Sequence, residues 1–361
     1  MDRAGADRPM KDPPGPPRRV LISRLRQIGD VILTLPVVDA VRGRYPDAEI
    51  DYLAETTPSL AASGHPAIRK VLSFNPRAWP GLPAPPKILA RLRSAKYDWV
   101  IDLYGNPRSA LLARWTGAPV RVGPDRRGRR RLYTHAIPRV VEPFPAVDHH
   151  LLAFKALGLP PGRGTPRIHL TAQERAEGAA LLAGLLPGDT PRVGLHVGNR
   201  WPAKRWPEER FRALLQLLST IGARGVVLAG PGEESMARRV AEGAGAGGRK
   251  DAPTLSGLPL RRYFAAVASL DALVTNDGSP LHAGPALGVP TVGILGPTVP
   301  EIWFPYPAEA GHQLLCRPIW CRPCHRHECE RMDCMDWIGV PEVLRAAERA
   351  LHHAERSVAS A

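Results

Sequence analysis

Residues 275–290 carry side chains and a spacing that can hold a nucleotide: Asn276, Asp277, Gly278, Ser279, Leu281 and His282 follow directly on the apolar run Ala272-Leu273-Val274. A helix beginning at Ser279 exposes unpaired backbone N–H groups and a partial positive charge, and phosphate oxygens bind at such ends. The carboxylate of Asp277 stands where ribose hydroxyls can be accepted. An ordinary strand-to-helix turn with a solvent-facing Asp has the same composition, so the segment alone does not decide. Asp30 is a second carboxylate in a comparable place, between the strand-like run Arg19–Ser23 and the apolar residues 31–41. It either caps a helix start or projects into a cleft at the strand's carboxyl end.

All five cysteines, Cys316, Cys321, Cys324, Cys329 and Cys334, fall in the last fifth of the chain. An odd number argues against a secreted disulfide framework and fits a reducing compartment. Cys321-Arg322-Pro323-Cys324 has the knuckle spacing of a structural zinc site, with Cys329 and Cys334 as further ligands and His325 and His327 nearby. The step from Cys329 to Cys334 does not repeat that spacing, so a buried thiol cluster competes with the metal reading. The densest basic run, residues 126–131, includes Arg126 and Arg127 and lies near Arg121. It is either an anion-binding loop or a solvated one, and with Tyr133 the only aromatic close by it is a weak platform for single-stranded nucleic acid.

Elements able to position these residues occur twice. Apolar runs at Arg19–Ser23 and at residues 48–53, 70–74 and 99–103 predict strands, and helical stretches separate several of them. The pattern restarts with strands at residues 192–197, 225–230, 272–275 and 291–295, and with helical apolar spacing over residues 211–221 and 279–287. Such alternation predicts an α/β fold of two doubly wound domains facing a central cleft, with ligands at the carboxyl ends of the strands. Glycine and proline concentrate over residues 158–166, which divides the chain into a flexible tail at 1–17, a first domain at 18–160 and a second at 161–340. Residues 341–361 form a terminal helix and tail that can pack back on the first domain.

At 361 residues the chain suffices for two cores, and its 44% hydrophobic and 23% charged content is that of a globular protein. The first 17 residues lack the apolar core of a signal peptide, and no apolar run reaches the length that spans a bilayer. The expected location is cytoplasmic, with peripheral attachment to the cytoplasmic membrane face open. A formal charge of +15 favours acidic partners: nucleic acid, anionic lipid or a negatively charged substrate.

Three separated segments resemble glycosyltransferase family 9, the lipopolysaccharide heptosyltransferases. They are Gly29-Asp30-Val31 within residues 22–36, Leu195-His196-Val197-Gly198-Asn199-Arg200 followed by Lys204-Arg205-Trp206-Pro207, and residues 275–290 together with Leu295-Gly296-Pro297-Thr298. Residues 121–133 and Cys334-Met335-Asp336-Trp337-Ile338 also look familial. The resemblance implies a GT-B fold of two Rossmann-like domains. It further implies transfer of a sugar, typically L-glycero-D-manno-heptose, from an ADP-linked donor to an acidic inner-core acceptor with inversion at the anomeric carbon.

On that resemblance Asp30 is the catalytic base and Lys204 the cation facing the leaving diphosphate. Asp277, with Asn276, serves the nucleoside, while Gly278, Ser279 and Leu281 offer backbone donors to phosphate. His282 is either a phosphate contact or a packed structural residue. Arg121, Arg126 and Arg127 lie in the half expected to bind the acceptor. The order Asp277-Gly278-Ser279-Pro280 departs from the family's usual Asp-Thr-Gly or Asp-Ser-Gly and puts a side-chain hydroxyl contact in doubt. The implied partners are a nucleotide-sugar donor, an anionic glycolipid or glycan acceptor and the inner-membrane surface. No cofactor is required beyond the nucleotide-sugar co-substrate, and nucleic acid is disfavoured. The competing readings are a nucleic-acid-binding or regulatory protein with a vestigial cleft, and a GT-B nucleotide-sugar epimerase.

Overall fold

A computed structural model describes residues 14–126, 128–140, 142–245, 248 and 250–359. Two compact units divide the chain between Thr165 and Pro166, inside the Gly/Pro-rich joint. Most of the expected tail, residues 1–13, lies outside the described residues.

The first unit is built on six parallel strands: β1 Arg19–Ser23, β2 Glu49–Glu55, β3 Ile68–Phe74, β4 Trp99–Asp102, β5 Val120–Pro124 and β6 His135–Ile137. Their spatial order is β3-β2-β1-β4-β5-β6. In β1, Val20 faces Ile50 on one side and Trp99 on the other. The helix Ile28–Arg44 follows β1 and buries Val31, Ile32, Leu33, Leu35, Val37 and Val38. Parallel strands covered on both faces must be apolar on both faces, which is why β1 and β4 read as unbroken buried runs.

The second unit repeats the plan with β7 Arg192–His196, β8 Arg224–Ala229, β9 Thr254–Ser256, β10 Ala272–Asn276, β11 Thr291–Leu295 and β12 Gln313–Cys316. The order β12-β11-β10-β7-β8-β9 reads, from each unit's first strand, as the same 3-2-1-4-5-6 arrangement. Strand order reverses between β1 and β4 in one unit and between β7 and β10 in the other. Those reversal points are where open α/β sheets bind ligands, beyond the carboxyl ends of the strands.

The terminal helix Val340–Ala359, set apart from the second domain on sequence grounds, belongs to the second unit. Val343, Ala346, Ala347, Ala350 and Leu351 are buried in the core of the second unit with Val274, Ile294 and Phe211. Full burial of a Val or Leu side chain stabilises by roughly 1.5–3 kcal/mol, so this stripe fixes the helix where it lies.

Candidate active site

In the second unit β10 ends at Asn276, which is 1% exposed. Its Oδ1 accepts the Trp206 backbone N–H at 3.0 Å and its Nδ2 donates to the Val197 carbonyl at 2.9 Å. A buried amide bonded on both sides to main chain is a tie between loops. Asn276 was expected among the donor contacts; the structure instead makes it the clamp that joins the ends of β7 and β10.

The next residue, Asp277, is also buried, and its Oδ2 lies 2.7 Å from the Lys204 ammonium. Thr298, just beyond β11, donates its hydroxyl to the same oxygen. Asn199 fixes the backbone here: its Nδ2 donates to the Asp277 carbonyl at 2.5 Å while its Oδ1 accepts the Trp201 N–H. The Lys204 ammonium also sits 4.4 Å from the centre of the Trp201 ring, a cation–π contact. Two residues on, the Trp206 ring is buried and its indole N–H donates to the Ile338 carbonyl at 2.9 Å. The Lys-x-Trp-Pro segment thus has a physical division of labour: Trp206 anchors, Pro207 leads into the helix Glu208–Leu217, and Lys204 is presented.

The helix Ser279–Ala286 begins after Gly278 with no side-chain cap. The Leu281 N–H donates to the Gly278 carbonyl at 3.1 Å, which removes it from the expected phosphate donors. The N–H groups of Gly278 and Ser279 remain as the donors at this end. His282 is buried, with Nδ1 bonded to the Tyr306 hydroxyl at 2.9 Å and its ring beside Trp303. It is held as a packing residue.

The corresponding place in the first unit looks different. Asp102 ends β4 with no exposure and accepts from the Tyr133 hydroxyl at 2.5 Å, Ser23 Oγ at 3.3 Å and the N–H groups of Tyr104 and Gly105. Asp30 lies on the helix after β1. One oxygen accepts the Gln27 N–H at 2.8 Å and the other pairs with Arg24 at 2.6 Å. Capping and catalysis were alternatives on sequence grounds; the structure shows the cap made, with the side chain 19% exposed. Arg24 is held by the Leu103 carbonyl and by the face of Tyr104. Burial holds the His150 imidazole well below the usual histidine range, and Arg24 and Arg126 push the same way.

Of the three acceptor-side arginines, Arg126 is exposed after β5 and Arg127 lies outside the described residues. Arg121 sits near the amino end of β5, and its guanidinium donates to the carbonyls of Leu132 and Ala118. That position is away from the ligand-binding ends of the strands, so Arg121 clips loops together instead of meeting an acceptor.

The model of glycosyltransferase family 9 (heptosyltransferase) matches residues 87–335. The chain belongs to this family. Lipopolysaccharide heptosyltransferase 1 of Pseudomonas aeruginosa is 29% identical over 315 residues, covering 83% of this chain and 85% of that protein. The structure of a family 9 glycosyltransferase from Veillonella parvula superposes with a TM-score of 0.78 at 23% identity, over 93% of this chain and 97% of the other. The Escherichia coli heptosyltransferase WaaC, solved with ADP, gives 0.68 at 25% identity over 92% and 99%. The two Rossmann-like units are accordingly those of the GT-B fold.

In this family 9 glycosyltransferase the cysteine segment follows β12 and runs from Cys316 to Cys334. All five thiols are free, and among the described residues no group of three or more His, Cys, Asp or Glu side chains is arranged to hold a metal. Cys334 is buried, which pushes its thiol up to about 11, with Cys321, Cys324 and Cys329 adding to the rise. Main-chain bonds hold the loop. The N–H groups of Cys324 and His325 both donate to the Pro297 carbonyl, and the His327 carbonyl accepts from Ala203. The His327 ring stacks on Trp201 at 3.8 Å, and Arg322 donates to the Thr298 carbonyl. The loop thus braces both partners of Asp277. Trp201 was not picked out as a site residue, His327 entered only beside the possible metal ligands, and Thr298 only within the third family-like segment. For Thr298 a signal existed, since it lies just past the end of the strand beside β10.

Proposed function

We propose that this glycosyltransferase moves a heptose from ADP-heptose to an anionic lipopolysaccharide-core acceptor, inverting the anomeric configuration. The observation that carries the reading is the Lys204–Asp277–Thr298 group at the β7/β10 reversal point, beside a helix start that no side chain caps. The relatives support the donor, since one of them was solved with ADP.

As the sugar departs, negative charge grows on the diphosphate. A cation fixed beforehand stabilises that charge more in the transition state than in the ground state. Asp277 and Thr298 hold the Lys204 ammonium at one place, so little reorganisation is needed. The Gly278 and Ser279 N–H groups add donors at the positive end of the helix. Asp277 serves here chiefly to orient Lys204, a role that differs from the ribose contact expected of it.

In a single displacement the acceptor hydroxyl oxygen bonds to the anomeric carbon, the carbon–oxygen bond to ADP breaks, and the hydroxyl proton passes to a carboxylate. Asp30 is the assigned base. Its pairing with Arg24 and the cap on Gln27 fix the carboxylate's direction. Arg126 and Arg24 supply positive charge for an anionic acceptor.

Calorimetric titration with ADP, UDP and GDP tests the donor, and a transfer assay with ADP-heptose and a deacylated core acceptor tests the reaction. Tightest binding of ADP, and loss of transfer in Asp30→Asn with ADP binding retained, are expected. Preference for UDP or GDP, or full transfer by Asp30→Asn, would overturn the respective assignment.

A further inference from the structure

Four large apolar side chains of the first unit stand in solvent: Trp79 is 38% exposed, Leu82 42%, and Leu111 and Trp115 50% each. They come from adjoining segments. The helices Pro86–Ser94 and Pro107–Trp115 meet through Leu92, Ala110, Leu112 and Ala113, all buried in one core. Across that junction the Trp115 indole N–H donates to the Leu89 carbonyl at 3.0 Å. Leu111 and Trp115, four residues apart, share a helix face, and Arg108 and Arg114 flank Leu111 at three residues either way. Trp79 and Leu82 precede the first of these helices. The Trp79–Leu82 segment joins the same core through Phe74 and Ala84, which bracket it in sequence.

Cations predominate on the two segments, which are bordered by Asp98, Asp102 and Asp125. Residues 75–97 contain Arg77, Lys87, Arg91, Arg93 and Lys96 and no Asp or Glu; residues 103–119 contain Arg108 and Arg114 and again none. Lys87, Arg91 and Arg93 are exposed.

We infer that this face is a docking surface for an anionic lipid bilayer. Cations ranged beside exposed Trp and Leu match a charged headgroup layer with an apolar layer just beneath it. The arginines and lysines supply the attraction, and the indoles and leucines enter the boundary. A nucleic acid would engage the cations but gains little from Leu82 and Leu111, which have no ring on which a base can stack. Among the described residues no helix is long and apolar enough to cross a membrane, so attachment here is to a surface. The inference is independent of the transfer chemistry.

The test is co-sedimentation of the full chain with vesicles of phosphatidylcholine alone or of phosphatidylcholine containing phosphatidylglycerol. Partitioning about ten-fold stronger onto the anionic vesicles, and weakening with added salt, is expected. The pairs Leu82→Ser/Leu111→Ser and Lys87→Gln/Arg91→Gln should each lower it by about ten-fold, with the thermal midpoint and ADP binding unchanged. Both pairs are exposed, so a folding defect in one leaves the other to decide. Equal partitioning onto both vesicles, or variants that bind as the wild type does, would overturn the inference. So would a DNA duplex that displaces the vesicles and binds the leucine variant and the wild type alike.

Discussion

The two units share a strand order and differ in what they place at its reversal point. The fourth strand of each unit ends in a buried polar residue, Asp102 in β4 and Asn276 in β10. Asp102 only accepts, and it gathers two hydroxyls and two N–H groups into a closed network. Asn276 donates and accepts, so the same tie is made without a charge. The chain then diverges. In the second unit the following residue is Asp277, which holds Lys204, and the helix start beside it lacks a side-chain cap. In the first unit the following residue is Leu103, and the candidate carboxylate sits instead on the helix after β1, already capping it. One unit leaves a helix end without a side-chain cap beside a cation; the other closes its helix end and keeps a carboxylate.

Lys204→Ala tests that difference most severely. Removing a fixed cation from a site of developing charge costs about 10²–10³ in kcat. ADP affinity should fall by less, because the ground-state diphosphate carries less charge on the leaving oxygen. Steady-state kinetics together with calorimetry separate the two effects. An equal loss in both would make Lys204 a binding residue only, and the second unit would lose its catalytic half of the contrast.

Much of this architecture was legible because the central strands have to be apolar. β1, β4, β7, β10 and β11 are buried on both faces and read as continuous runs. β6, β9 and β12 were missed. They are edge strands of three or four residues, where one side needs no covering neighbour and the apolar run is short. β5 was missed for another reason: it is interior, but Arg121 interrupts its apolar run, and Val120 and Arg121 are only half-buried. At the site Lys204 and Asp277 were legible as motif residues, whereas their ion pair was not. It joins residues 73 positions apart, and only the β7–β10 pairing brings them together. The closed shell of His327 on Trp201 was beyond reach as well, since it depends on how a loop without regular structure folds back.

Acid separates the units less sharply, though with a definite sign. His196 ends β7 in the second unit, buried, and burial pulls its imidazole down to about 4. The Glu233 carboxylate, 3.9 Å away, is too distant for a hydrogen bond that would offset this. A folded-state value below the ordinary one means the unfolded chain takes up the proton first. This contribution is complete above about pH 6.5 and is lost as pH falls toward 4, amounting to roughly 2 kcal/mol at pH 5. Denaturant titrations at pH 7 and pH 5 should show His196→Gln losing that much less than the wild type. His150 and His312, also depressed by burial, act in both proteins and cancel from the difference. An identical loss would place the acid sensitivity elsewhere and remove this distinction of β7.

Gly278→Ala probes the helix start itself, with the smallest effect. The glycine has an extended φ of −169°, a region open to any residue, so the backbone sets no demand for it. Space does: an added Cβ would meet the Asn199 amide nitrogen at 3.1 Å. That nitrogen is held 2.5 Å from the Asp277 carbonyl, so yielding to the methyl weakens the bond that sets the loop carrying Lys204's partner. A loss of about 1 kcal/mol in ADP affinity, close to five-fold, is expected by calorimetry. The N–H groups at the helix start remain, and the affinity should not collapse. Unchanged affinity would show that the Asn199 amide can move at no cost to the site; the uncapped helix end would then stand as the part of the second unit that matters to the phosphate.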